Sequence, residues 1–256
     1  MKITISDKQK KDLFVAIFQT LKSCSSQVSA QITAEKFHIQ GMDKSHVCLF
    51  DVNITSEWFN NYVVDTNKNI CFDTNIFHSV ISTKNEGLDI IIHNDADDED
   101  HLKIDLATST KGEFNKYFKI SLMDYDYTEF SIPSVVYDAE FAISAKKLCE
   151  IFNQMATFGD DIQIKCTEEK IDLITNGVTG EMLVNIPIDD LTEYSIVEGD
   201  EIDLAYSLLY INKMCLTNKL SAELQISISK EFPMKIIYDL GNDSSLVFFI
   251  APKVVE

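Results

Sequence analysis

Five histidines, six cysteines and one dense run of acids are the side chains of this 256-residue sequence that could do chemistry. His38, His46, His78, His93 and His101 could serve as general bases or metal ligands. No serine or cysteine near them sits in a nucleophile motif, and no G-x-S-x-G is present. H-E-x-x-H, a phosphate loop and G-x-G-x-x-G are missing too. Triads assemble in space, so a metal-independent hydrolase survives only as the weakest reading, resting on scattered His, Ser and Asp. No catalytic residue and no cofactor are assigned. The run Asn94-Asp95-Ala96-Asp97-Asp98-Glu99-Asp100-His101 invites a calcium ion. An EF-hand loop starting at Asp95 would need Gly and Glu where the sequence has Asp100 and Leu106, so the run reads as a solvated hairpin tip. Cys24, Cys48, Cys71, Cys149, Cys166 and Cys215 form no C-x-x-C pair. They read as buried, reduced thiols of an intracellular protein, with no metal site.

The remaining chemistry is cationic. The 22 basic residues are all lysine; 41 acids bring the net charge to −19. Bulk charge of that sign argues against binding nucleic acid, so only a local lysine surface could do it. Lys11 and Lys22 share a face of one candidate helix, Lys146 and Lys147 open another, and Lys213 and Lys219 lie in or just after a third. Helix by helix these are ordinary solvated faces. They gain meaning only if the fold gathers them onto one surface.

The elements that must position these groups follow from periodicity. Residues 8–24 keep helical spacing, with Leu13, Ile17, Leu21 and Cys24 on one face, Phe14 beside them, and Lys11, Val15, Gln19 and Lys22 opposite. Ser6 or Asp7 supplies an N-cap. Residues 29–40 and 46–54 read as β segments, 73–84 as a second helix, and 88–93, 102–107 and 113–123 as strands. After Tyr137 the order repeats: strand 138–143, helix 145–158, strands 161–166, 170–175, 180–187 and 201–205, a helix near 206–218, then strands 222–230, 234–240 and 245–251. At an offset of 134 residues, Phe14, Ile17, Phe18 and Leu21 align with Leu148, Ile151, Phe152 and Met155, and residues 33–39 with 167–173. That constant offset through a helix and a strand pair reads as a duplication. Each half is β-rich with two helices, an α+β architecture in which helices cover sheet faces. Domains are expected at 1–121 and 138–256. The joining segment 122–137 is too apolar for a solvated linker, with Leu, Met, three Tyr, Phe, Ile and Val. No apolar run is long enough to span a bilayer, and the start lacks the apolar core of a signal peptide.

Three stretches carry a family resemblance. Residues 41–49, Gly41-Met42-Asp43-Lys44-Ser45-His46-Val47-Cys48-Leu49, resemble the M-D-x-S-H-V-x-L signature of proliferating cell nuclear antigen, the eukaryotic and viral DNA sliding clamp family. Leu122-Met123-Asp124 through Phe130-Ser131-Ile132-Pro133 is similar to that family's interdomain connector. Phe248-Phe249-Ile250-Ala251-Pro252-Lys253 resembles its C-terminal end. The resemblance spans essentially the whole chain. It implies the DNA-clamp fold: two similar domains per chain and three chains closed head to tail into a ring whose twelve helices line the hole. The implied function is a non-enzymatic processivity factor that encircles duplex DNA without reading its sequence.

The same resemblance implies site residues. Lys11, Lys22, His78, Lys146, Lys147, Lys213 and Lys219 would face DNA. Met42, His46, Val47, Leu49, Phe130, Ile132, Pro133, Tyr137, Pro233, Phe249, Ala251 and Pro252 would form a groove for Q-x-x-hydrophobic-x-x-aromatic-aromatic peptides. DNA polymerase, the clamp loader and other replication and repair proteins would carry such peptides. Strands 114–122 and 178–185 would pair between copies, with Phe114, Phe118, Met182 and Val184 at the homotrimer seam. The location implied is the nucleus, or a viral replication compartment if the source is a large DNA virus; no membrane partner is expected. Val15, Ala16, Ile81, Glu150, Asn153 and Thr157 stand where the family is usually basic. That departure leaves room for a second reading, a checkpoint-type heterotrimer subunit or a non-encircling viral processivity factor.

Overall fold

A computed structural model of the chain describes residues 1–83, 87–95, 97–110, 114–124, 129–215 and 218–253, without the side chains of Met214 and Cys215. Two compact units emerge. Unit 1 comprises Met1–Met42, Phe50–Phe130 and Leu240–Leu246; unit 2 comprises Asp43–Leu49, Ser131–Asp239 and Val247–Glu256.

Unit 1 runs β1 (Lys2–Ile5), α1 (Lys8–Cys24), β2 (Gln27–Ile32), β3 (Lys36–Met42), β4 (Cys48–Thr55), β5 (Asn61–Val63), β6 (Lys68–Asp73), α2 (Thr74–Ile81), β7 (Asp89–His93), β8 (His101–Ala107) and β9 (Lys116–Ser121). Unit 2 runs β10 (Ala139–Ser144), α3 (Ala145–Met155), β11 (Asp161–Cys166), β12 (Lys170–Gly177), β13 (Gly180–Pro187), β14 (Glu193–Ile196), β15 (Ile202–Ser207), α4 (Leu208–Cys215), β16 (Glu223–Ile228), β17 (Met234–Gly241) and β18 (Ser244–Ile250). Strands of unit 1 lie in the orders β5-β1-β7-β8-β9 and β4-β3-β2-β6. Those of unit 2 lie in the orders β14-β10-β16-β17-β18 and β13-β12-β11-β15. Matched element by element, these orders are the same. The starts of β2, β6 and α2 (27, 68, 74) and of β11, β15 and α4 (161, 202, 208) differ by 134 throughout. Such agreement in topology and spacing is the mark of a duplicated unit.

Local chemistry fixes the helix starts. Asp7 caps α1 by accepting the Lys10 amide at 2.9 Å, and Asp73 caps α2 by accepting the Ile76 amide at 2.9 Å. The buried arc of α1 packs an aromatic core, with ring centroids of Phe18 and Phe77 4.4 Å apart and of Phe72 and Phe77 4.6 Å apart. Trp58 is fully buried there and donates its indole N–H to the Leu240 carbonyl at 2.9 Å. In unit 2, Leu148, Phe152 and Met155 of α3 fill the same role.

The structure corrects several expectations. Lys11 does not face outward: it is 7% exposed and donates to the Leu88 carbonyl at 2.6 Å. Positions 11, 14, 18 and 21 share one helical stripe, and the long lysine stem follows the Phe side chains inward before its ammonium meets an acceptor. The 29–40 segment is two strands, β2 and β3, separated by a turn in which the Thr33 amide donates to the Lys36 carbonyl at 3.0 Å. Tyr206 and Ser207 belong to β15 rather than to the following helix, which starts at Leu208. Strands β1, β5, β6 and β14 were not expected. Around the acidic tip, Asp98 pairs with His101 at 2.6 Å and with Lys119 at 2.7 Å, and Lys103 pairs with Asp95. Ala96 in that run, and 125–128 of the central segment, lie outside the described residues.

Candidate functional site

The 41–49 signature is a turn built around one carboxylate. Asp43 ends the approach from β3 and is 5% exposed. Its Oδ1 accepts the amides of Val47 at 2.9 Å and Cys48 at 2.8 Å, and its Oδ2 accepts that of Ser45 at 2.9 Å. Burial pushes this carboxyl up, but the Cys48, Ser45 and Val47 amides and the Tyr210 hydroxyl outweigh burial and hold it below the ordinary value. His46 adopts φ 58°, the left-handed region, and is exposed at the tip. Val47 and Leu49 are half-buried. The Val47 carbonyl accepts the Ala251 amide at 3.0 Å, which joins this turn to the chain end within unit 2. Further along, the Lys253 amide donates to the Ala205 carbonyl at 2.7 Å, and its ammonium pairs with Asp161.

The other expected groove residues of unit 2 are accessible. Ile132 is 36% exposed, Pro133 and Pro233 are exposed, and Tyr137, Phe249, Ala251 and Pro252 are half-buried. Burial, and then the Glu140 charge, push the Tyr137 hydroxyl up. In unit 1, Met42 is half-buried, and Phe130 depends on Gln40, a residue outside the expected groove set. Gln40 is 8% exposed; its side-chain amide donates to the Phe130 carbonyl at 3.2 Å and accepts the Phe130 amide at 2.7 Å. Both bonds of a strand neighbour are thus supplied by one side chain. Gly41 lies between Gln40 and Met42, where a Cβ would meet Phe50 Cζ at 2.4 Å. Asp43 belongs to the 41–49 signature, but no spacing or period in the sequence marks it as the organiser of the turn.

The expected DNA-facing groups divide. Lys146 and Lys147 are exposed on α3, with Glu150, Asn153 and Gln154 also exposed on it. Lys213 lies over the Tyr210 ring at 5.1 Å, and Lys219 is exposed. His78, by contrast, is buried at 8% exposure, and its Nδ1 lies 3.4 Å from the Lys22 ammonium. Burial and then the Lys22 charge hold the His78 imidazole below its usual pKa, so at neutral pH it is an uncharged acceptor for Lys22. His78 therefore adds no positive charge, and Lys11, being buried, is not available to a phosphate. Lys10 is also committed: it donates to the Trp58 carbonyl at 2.5 Å and sits 5.6 Å over the indole.

β9 and β13 are terminal strands in their strand orders. Phe114, just before β9, is 86% exposed. Phe118, Met182 and Val184 are half-buried and alternate with the more exposed Tyr117 (70%) and Leu183 (56%), while Val178 in the β12–β13 turn is fully exposed. Tyr117, Leu183 and Val178 fall within the strands 114–122 and 178–185 expected to pair between copies, and strand alternation around Phe118 and Val184 exposes the first two.

Comparison with known proteins places this geometry. Residues 7–129 match the family described as proliferating cell nuclear antigen, N-terminal domain, and residues 131–253 match its C-terminal domain. "Proliferating cell nuclear antigen 2" of Plasmodium falciparum is 25% identical over 252 residues, covering 94% of this chain and 95% of that protein. The crystal structure of the antigen from Thermococcus kodakaraensis superposes with a TM-score of 0.87 at 22% identity, over 98% of this chain and 99% of the other, and shares the fold.

Proposed function

Because this chain belongs to the proliferating cell nuclear antigen family through both of its domains, we propose that it is a DNA sliding clamp that closes as a homotrimer around duplex DNA. It serves DNA replication and repair as a non-catalytic tether. The observation that carries the reading is the exact repeat of topology between the two units, which leaves β9 at the end of one strand order and β13 at the end of the other. An apolar edge strand is a liability unless another strand covers it. A second copy, presenting β13 to β9, covers both edges and repeats until the ring closes.

Partners dock through short peptides of the Q-x-x-hydrophobic-x-x-aromatic-aromatic kind. Their acceptor in unit 2 is the surface bearing His46, Val47, Leu49, Ile132, Pro133, Tyr137, Pro233, Phe249, Ala251 and Pro252; Met42 and Phe130 of unit 1 are added to it by the family resemblance alone. Half-exposed apolar side chains beside ordered backbone suit such a ligand. DNA polymerase and the clamp loader are the principal partners, in the nucleus or in a viral replication compartment. Among the described residues, no helix is long and apolar enough to cross a membrane.

A second reading, a specialised clamp subunit or a non-encircling processivity factor, is favoured by one observation: Lys11 and His78 contribute nothing to an inner positive surface. Extension of a primed circular template by a polymerase with a clamp loader separates the two. Longer products that require the loader support the homotrimeric clamp; longer products without it support a non-encircling factor, and no gain from this chain alone supports a heterotrimer subunit.

A further inference from the structure

The wall of the proposed groove depends on a residue that would not touch a docked peptide. The turn from Asp43 to Cys48 has two backbone bonds of its own: Asp43 N–H to the Cys48 carbonyl at 2.9 Å and His46 N–H to the Asp43 carbonyl at 3.0 Å. Three further amides, those of Ser45, Val47 and Cys48, converge on the buried Asp43 carboxylate. Without that carboxylate they would lose their acceptor, and His46 would have little to hold it at positive φ. The carboxylate's influence extends past the turn. Val47, fixed through its N–H, offers its carbonyl to Ala251. The chain end is then secured two residues on, where Lys253 meets Ala205 and Asp161.

We propose that Asp43 is the positioning residue of the docking surface: its carboxylate presets the turn carrying His46, Val47 and Leu49 and, through Val47, seats Ala251 and Pro252 before any partner arrives. This rests on the peptide-docking reading above. A preformed surface spares the ordering cost that a mobile turn would impose on each binding event. The charged and titratable groups around the carboxylate are Lys44 and His46 in its own turn, both exposed, and Tyr210 of α4, whose hydroxyl bonds it and whose ring carries Lys213. None of these replaces the three amide bonds.

The test uses the full-length protein and a synthetic Gln-x-x-Leu-x-x-Phe-Phe peptide, titrated calorimetrically well below the melting temperature. Asp43→Ala should weaken binding about ten-fold or more. Asp43→Asn retains one oxygen for Val47 and Cys48 but turns an N–H toward Ser45, and should fall between Ala and wild type. A purely structural role would lower the melting temperature yet leave the affinity of the folded protein unchanged. Asp43→Ala binding within two-fold of wild type overturns the proposal. Should that variant not fold, amide exchange in the wild type decides: slow exchange at Val47 and Cys48 before peptide is added supports it, and fast exchange that slows only on binding overturns it. Ile132→Ala/Phe249→Ala serves as the control for the groove itself. If wild type and this control bind equally, the docking surface is misplaced, whatever Asp43 does.

Discussion

The proposed seam can be tested by removing Phe114 and Leu183 together. Burying a Leu or Phe side chain fully contributes about 1.5–3 kcal/mol. Phe114 is 86% exposed and Leu183 56% exposed, so what each still has to gain scales with those fractions. Phe114→Ser and Leu183→Ser then forgo roughly 2–4 kcal/mol per seam. That raises the dissociation constant of one seam by about 30- to 1,000-fold. Each copy supplies β9 to one neighbour and β13 to the other, so a three-membered ring takes the loss three times. Light scattering behind gel filtration at about 1 µM should move from the three-chain mass to the single-chain mass. Val197→Ser is the matched control, because Val197 is similarly exposed (51%) but follows β14 and lies in neither edge strand. A three-chain mass retained by Phe114→Ser/Leu183→Ser, or lost by Val197→Ser, would refute the assignment of the seam.

Ile132→Ala with Phe249→Ala should weaken a Gln-x-x-Leu-x-x-Phe-Phe peptide by about 2–4 kcal/mol, the range of buried anchors, as read by calorimetry. Gly177→Ala should lower the unfolding midpoint sharply, by about 2 kcal/mol or more in a denaturant titration, because its Cβ would sit 1.7 Å from the Phe158 carbonyl oxygen and only a backbone shift can relieve that. The depressed pKa of His78 makes it a pH-dependent load: the unfolded chain takes the proton first, so its contribution is intact above about pH 6.5 and is lost as pH falls through the lower folded value. The melting temperature of wild type should therefore drop more than that of His78→Gln between pH 7.5 and 5.5; parallel curves would mean that His78 titrates normally.

Much of this fold was legible in the sequence because its helices are strongly periodic and clearly capped. Asp7 and Asp73 announce α1 and α2, and the offset of 134 residues between the halves survives in the starts of matched elements. The missed strands are short or lie beside stronger signals. β5 has three residues and β14 four, too few for alternation to register, and β1 gains its identity from pairing with β5 and β7. β6 runs directly into α2, and the helical period that begins at its end hides its alternation. The site was legible where residues display apolar surface and obscure where polar side chains serve backbone. Gln40 imitates a strand neighbour for Phe130, and Asp43 gathers three amides; neither arrangement has a period. Helical spacing puts Lys11 opposite Leu13, Ile17 and Leu21, but the buried arc of α1 extends through Phe14 and Phe18, and the lysine stem runs along these neighbours to a buried carbonyl.

The fate of the lysines also decides how this chain would stay on DNA. In α1, Lys10 and Lys11 are committed to the Trp58 and Leu88 carbonyls, and Lys22 lies against an uncharged His78. α2 exposes Asn75, Ile76 and Ser79, none of them charged. Of the expected DNA-facing groups, Lys146, Lys147, Lys213 and Lys219 would supply the phosphate attraction, each phosphate contact contributing about 0.9 to the slope of log affinity against log salt. With so few contacts, the proposed ring would be retained by closure rather than by affinity. Processivity should then tolerate Lys146→Glu/Lys147→Glu, which reverses two of those contacts, better than Phe114→Ser/Leu183→Ser, which opens the ring. On a primed circular template with polymerase and loader, the lysine variant should shorten products progressively as salt rises, whereas the seam variant should lose the gain at every salt concentration. The opposite ranking would mean that electrostatic attraction, not topology, holds this chain to its template.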